Sequence, residues 1–188
     1  MLLLLLASAG CHGNRVDVSA GAAPATIAVA SSTTLDKVWL IEASGLPVPD
    51  TSVTFAARSG RTIVLRHARP DNAIFLILDF PPSTDSTRVG DSLHVRVQPV
   101  AGKYAFTLST SDTFAPAAQA TFSYAIHFRP PAEASAKYPS TAILEQALGP
   151  ALLGAANKVQ FVGGTRPAAD VVRFPVAAAG SYGLVVVR

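Results

Sequence analysis

From Leu35 onward, large apolar side chains recur at alternate positions, and that period restricts this part of the chain to β-structure. In residues 91–97, Leu93, Val95 and Val97 fall on one side of an extended strand and His94 and Arg96 on the other. Residues 103–108 gather Tyr104, Phe106 and Leu108 on one face, and residues 121–128 gather Phe122, Tyr124, Ile126 and Phe128. Each segment offers one face to a core and one to water, and a one-residue slip would exchange them. Residues 73–80 differ: the run is apolar almost throughout, which predicts a central strand covered on both faces, with Phe75 and Leu76 back to back. It ends at Pro81-Pro82, where no backbone N–H is left to donate.

The remaining segments follow the same grammar. Residues 37–41, 53–57 and 61–67 read as strands, and Ser59-Gly60 between the last two predicts a hairpin. Residues 99–102 (Pro-Val-Ala-Gly) are a turn. Ser140 is placed to cap a short helix over 141–148, closed by Gly149-Pro150. Strand patterns then resume at 158–162, 170–174 and 182–187. About ten strands with turn residues between them predict an all-β fold, an Ig-like antiparallel β-sandwich with at most one short helix. Arg129-Pro130-Pro131 is the best candidate for an internal boundary, but no change in composition forces one. The sandwich is expected to occupy residues 35–188.

The other end of the chain carries a different signal. Leu2–Leu6 and the small residues Ala7-Ser8-Ala9-Gly10 precede Cys11, the only cysteine. An apolar run ending in small residues is how a secretory h-region meets its cleavage site. As a helix, ten residues span only about 15 Å, half of a hydrocarbon core, so they cannot anchor by spanning. Residues 1–10 are expected to be a signal peptide. Residues 11–34, rich in Gly, Ala, Ser and Thr, are expected to be a flexible tether, with the alternation at Thr26–Ala30 as the one hint of a strand. With one cysteine, no intrachain disulfide is available and the core must carry the stability.

Ser8-Ala9-Gly10-Cys11 resembles the lipobox of bacterial lipoproteins. The resemblance implies that Cys11 is diacylated and becomes the first mature residue, a covalent lipid anchor. Ser8 stands where leucine is commonest, and no Lys or Arg precedes the apolar run, so a basic region encoded upstream is expected. His12 follows the cysteine instead of the aspartate that often signals inner-membrane retention in that family, so the outer membrane is the implied destination. A second resemblance covers roughly Val53 to Arg188: the strand at 120–128, the strand at 158–162 and the stretch from Arg173 through Gly180-Ser181-Tyr182 to Val186 resemble β-sandwich domains of the zonula-occludens and netrin-receptor type. Those domains commonly serve as interaction or spacer modules. Some of their relatives cleave themselves at His-Phe-Ser. Here His127-Phe128 precedes Arg129, so that activity does not carry over.

Chemistry is sparse in the sequence. The net charge of +3 is carried by scattered residues (Arg58, Arg61, Arg66, Arg69, Arg88 and Arg96 among them), unlike a nucleic-acid-binding arm. His12, His67, His94 and His127 lie in separate segments; His94 and His127, both expected on polar strand faces, are the pair that adjacent strands would bring together, but no metal site is expected. Ser59 and Ser181 occupy turn contexts and no Gly-x-Ser-x-Gly elbow exists, so no catalytic residue is assigned. Gly163-Gly164-Thr165-Arg166-Pro167 reads as a turn rather than a phosphate cradle, and Asp79, Asp85, Asp91 and Asp112 read as turn or strand-end residues. The expected role is a lipid-anchored, non-catalytic interaction or structural module without a cofactor, partnered by the membrane and by an envelope protein or glycan. The alternative is a small-molecule or glycan binder using Trp39, Tyr138, Arg69 or Arg166. A hydrolase assembled from distant residues ranks third.

Overall fold

The alternating segments become two large antiparallel sheets and a two-stranded third. A computed structural model describes residues 25–27, 32–85 and 91–188. In chain order the strands are β1 (Ala25–Ile27), β2 (Thr33–Thr34), β3 (Val38–Leu40), β4 (Glu42–Ala43), β5 (Thr51–Ala56), β6 (Arg61–Arg66), β7 (Ile74–Phe80), β8 (Ser92–Pro99), β9 (Ala105–Thr110), β10 (Ala118–Ser123) and β11 (Phe128–Arg129). A seven-residue helix, α1 (Thr141–Ala147), is followed by β12 (Gly149–Leu153), β13 (Lys158–Phe161), β14 (Gly164–Ala168), β15 (Val171–Val176) and β16 (Gly180–Val187). One large sheet runs β1-β14-β15-β10-β7-β6; the other runs β2-β13-β12-β16-β9-β8-β5, with β3 also against β16. β4 and β11 form the two-stranded third. Among the described residues all pairings are antiparallel and α1 is the one α-helix, which makes an all-β sandwich. The helix starts where expected: the Ser140 hydroxyl accepts the Ile143 N–H at 3.3 Å.

The alternation decides the core. Leu93, Val95 and Val97 of β8 are buried and His94 and Arg96 are exposed. Aromatic side chains from both sheets meet in the middle. Phe75, Phe122 and Phe174 come from one sheet, and Phe106 and Tyr182 from the other, with Tyr104 joining them from the residue before β9. Phe122 lies 5.5 Å from Phe75, 5.7 Å from Phe106 and 5.9 Å from Phe174, ring centre to ring centre. Edge-to-face and offset rings at these separations add to the area they bury. The tyrosine hydroxyls in this layer have acceptors: Tyr124 donates to the Ala169 carbonyl at 2.7 Å and Tyr182 to the Ala178 carbonyl at 2.9 Å. Burial pushes the Tyr104, Tyr124 and Tyr182 phenols above their ordinary value.

Four local expectations need correction. The hairpin across Ser59-Gly60 does not form: β5 pairs with β8, whereas β6 pairs with β7 in the opposite sheet. Ala57–Ser59 make a 3-10 turn, and Gly60, at φ +63, turns the corner where an added Cβ would sit 2.6 Å from the Phe80 carbonyl oxygen. Two adjacent apolar strands can cover the core from opposite sides, and these do. The apolar run in β7 likewise has another cause. Register shifts between Leu65↔Leu76 and Arg66↔Ile74, leaving Phe75 as an extra residue. Leu76 stands opposite Phe122, and Phe75 also packs on Phe122, so both point into the same core. The outer face is only partly covered, with Val64 exposed beside Ile77.

Ile126 is the third correction. β10 ends at Ser123, residues 125–127 form a turn, and Ile126 is 71% exposed. Fourth, Gly164–Ala168 are strand β14, not a turn. Its neighbour β1, Ala25–Ile27, lies within the expected tether, as does β2, so ordered structure begins before Leu35. Met1 to Pro24, and with them Cys11 and His12, lie outside the described residues.

Candidate functional site

His67 follows β6 directly, and at 4% exposure it is the buried polar side chain of the described core. Its backbone N–H donates to the Ala73 carbonyl at 2.9 Å. Its ring is 2.6 Å from the Leu46 carbonyl through Nδ1. A carbonyl only accepts, so the proton sits on Nδ1, and in the neutral ring Nε2 keeps its lone pair. Nε2 is buried with no hydrogen-bond partner among the described residues. Buried polar atoms are nearly always paired, so this one needs a reason.

The surroundings of His67 are built from three loops. The β6–β7 loop carries Asp71 and is closed by Arg66, whose Nη1 donates to the Asn72 carbonyl at 3.1 Å. The turn after β10 carries His127, whose Nε2 meets the Asp71 carboxylate; His127 is half-buried and Asp71 belongs to an exposed part of its loop. The β4–β5 loop holds the other two: the Ser44 N–H donates to the His127 carbonyl at 2.8 Å and the Ala68 N–H to the Pro47 carbonyl at 3.0 Å. The His67 and His127 rings lie 4.2 Å apart, centre to centre. Gly45 is what permits this: an added Cβ would lie 2.6 Å from His67 Nδ1 and 2.7 Å from His127 Cγ. One donor atom from each of His67, Asp71 and His127 lies within 4.8 Å of the other two.

His67 also lines a cleft of about 120 Å³ between the β4–β5 loop and the β8–β9 turn. Leu46, Val48, Phe75 and Val100 make its walls apolar, and Lys103 supplies a charge. That charge is already paired, since Lys103 Nζ donates to Glu42 Oε1 at 2.9 Å.

The residues singled out from the sequence are distributed elsewhere, His67 and His127 excepted. His127 meets His67, not His94, which is on β8 with Nδ1 2.9 Å from the Thr54 hydroxyl. The Ser181 hydroxyl is 2.9 Å from that of Thr107 across the sheet, a polar pair without a base. Ser59 is in the sheet-crossing turn. Arg166 holds the interior together, donating to the Tyr124 hydroxyl at 2.9 Å and the Leu148 carbonyl at 2.6 Å. Trp39 and Tyr138 do come together, edge to face at 6.5 Å, but the Arg188 guanidinium lies over Trp39. Arg69 is exposed in the Asp71 loop. Asp79 accepts from the Thr62 hydroxyl at 2.7 Å across β6–β7, and Asp112 accepts from the Thr113 N–H at 2.7 Å. Asp85 donates its backbone N–H to the Ser83 hydroxyl at 3.3 Å, and the Asp91 carbonyl accepts from Ala57 N–H at 3.0 Å.

Asp71 was not among the carboxylates singled out. The signal for it was His67-x-x-x-Asp71 in a stretch of turn residues, which is weak without His127 beside it. No family model, curated protein or solved structure matches the chain in comparisons with known proteins.

Proposed function

We propose that this chain is a lipid-anchored protein of the bacterial envelope whose β-sandwich acts as a non-catalytic interaction or structural module. The observation that carries the reading is the apolar run ending in Ser8-Ala9-Gly10 before the only cysteine. The sandwich body supports it, because two of the side chains that could have served chemistry are spent on architecture: Ser181 on Thr107, Arg166 on Tyr124 and Leu148. Among the described residues no helix is long and apolar enough to cross a membrane, so acyl chains are the means of attachment in this reading. Each buried CH₂ adds about 0.8 kcal/mol, so two or more chains hold a protein where one does not. With His12 after the cysteine, the outer membrane is the proposed site. The sandwich resemblance noted above supplies the precedent for an interaction role.

The test is expression with a basic leader added before Met1, followed by fractionation and intact-mass analysis of wild type and Cys11→Ser. Acylated mass and membrane association in the wild type, both lost in Cys11→Ser, are expected. An unmodified wild-type protein free in the periplasm would overturn the anchor.

One observation favours a second reading, a small-molecule-binding lipoprotein: the apolar cleft beside His67. Its volume of about 120 Å³ is below the roughly 300 Å³ at which drug-sized ligand pockets begin. A solute of a few atoms fits that volume better than a glycan.

A further inference from the structure

We propose that His67, Asp71 and His127 form a binding site for one divalent transition-metal ion of the zinc type. The inference concerns the loop end of the sandwich and stands whether or not Cys11 is acylated. Two imidazoles and a carboxylate are a donor set that suits such an ion and does not suit magnesium or calcium, which take oxygen. Three protein ligands with a fourth position left for water or another donor is a familiar zinc arrangement.

The second observation is the orientation of His67. Metal-binding histidines characteristically donate their other ring N–H to a carbonyl or carboxylate, which fixes the tautomer and the ring. His67 does this through Nδ1 to the Leu46 carbonyl, and Nε2 remains buried without a partner among the described residues. A ring held in this way has its lone pair fixed before any ion arrives. Metal would account for a buried nitrogen that otherwise breaks the rule of paired polar groups. In a tetrahedral site with ligands about 2.0–2.1 Å from the metal, donor atoms are about 3.3 Å apart. Each of the three residues offers a donor atom within 4.8 Å of the other two, so closing on one ion takes shifts of about 1–2 Å, made by Asp71 and His127 toward the fixed His67 ring. His127 Nε2 and the Asp71 carboxylate already face each other, and an ion between them would take the place of that contact. Gly45, with no Cβ, lets both rings pack directly against the backbone of the β4–β5 loop.

The experiment is isothermal titration of the full, untagged, metal-stripped chain with Zn²⁺, alongside Mg²⁺, with Co²⁺ absorption to read coordination. One Zn²⁺ per chain is expected, with tetrahedral Co²⁺ bands and no Mg²⁺ binding. Asp71→Asn and His127→Ala should each weaken Zn²⁺ binding at least tenfold while the circular dichroism stays β. His94→Ala and the double variant Cys11→Ser, His12→Ala should bind as wild type does. If Asp71→Asn or His127→Ala cannot be obtained folded, histidine NMR of the wild type replaces it: Zn²⁺ must shift His67 and His127 and leave His94 in place. The proposal is overturned if the folded chain takes up no zinc, if Mg²⁺ binds equally, or if binding disappears with His94, or with Cys11 and His12, rather than with Asp71 and His127.

Discussion

The middle of the sandwich and its loop end handle buried polarity in opposite ways. In the middle, Phe75, Phe122 and Phe174 face Phe106 and Tyr182, and the Tyr124 and Tyr182 hydroxyls each have a carbonyl to donate to. At the loop end, His67 is as buried as those rings yet leaves a ring nitrogen unpaired among the described residues. The middle is packed by aromatic rings, whereas the end is two imidazoles packed against a glycine and tied by backbone bonds among three loops. Close packing serves stability, and a pre-set but unsatisfied donor is what ligand binding requires. The two regions touch, since His67 lies edge-on to Phe75 at 5.6 Å.

The sharpest way to break the middle is at high pH, where the tyrosines act together. Their folded pKa values are raised by burial, so the native state holds protons that the unfolded chain releases. That contribution is complete below about pH 10, the ordinary phenol value, and is lost as pH climbs through the raised ones. A pH scan is expected to show tyrosinate absorbance rising together with loss of the β spectrum. Early titration of Tyr104, Tyr124 and Tyr182 with the spectrum intact would mean that the middle is not closed.

Phe122→Ala should cost about 3–5 kcal/mol in chemical denaturation, because the ring touches both sheets. Leu76→Ala should cost about 2–5 kcal/mol. Val64→Ala, on the exposed face of the neighbouring strand, should stay within about 0.5 kcal/mol. Equal costs for Leu76 and Val64 would contradict the bulge that turns Phe75 and Leu76 to the same side.

The loop end should respond to size rather than to loss of apolar area. Gly45→Ala places a methyl group where the two imidazoles meet, and overpacking of this kind costs about 1–3 kcal/mol. The same variant should weaken zinc binding, whereas Phe122→Ala, where it folds, should leave it nearer to wild type. The smallest effect is expected outside both regions. Arg96 and Gln98 each donate to the Asp50 carboxylate at 3.0 Å, and these bonds hold its pKa below the usual value. Whatever stability this exposed group adds is present above its ordinary pKa and is lost as pH falls through the lowered one. NMR titration of Asp50 should show the low value in wild type and a rise toward the ordinary one in Arg96→Ala.

The sequence by itself determined the character of the strands. Period two in β8 and β9 dictates which side chains are buried, because the pleat sends neighbours to opposite faces whatever the partner strand is. Ser140 determined the start of α1 for an equally local reason, since a hydroxyl reaches the N–H three residues on. The cysteine signal at residue 11 is also local. Tertiary structure decided everything that depends on who meets whom. Whether Ser59-Gly60 closed a hairpin or crossed between sheets depended on β7 and β8 competing as partners. The run 73–80 looked two-sided because a one-residue bulge at Phe75 breaks the alternation without leaving a mark in the composition. The candidate site depended on the same kind of event over longer range. His127 and Asp71 are 56 positions apart, and each reads alone as a loop or surface residue. Only when β10 ends early at Ser123 and the turn folds back over Gly45 do they close on His67. Alternation is encoded in neighbouring residues, but the convergence of three loops is set by the packing of the sheets that carry them.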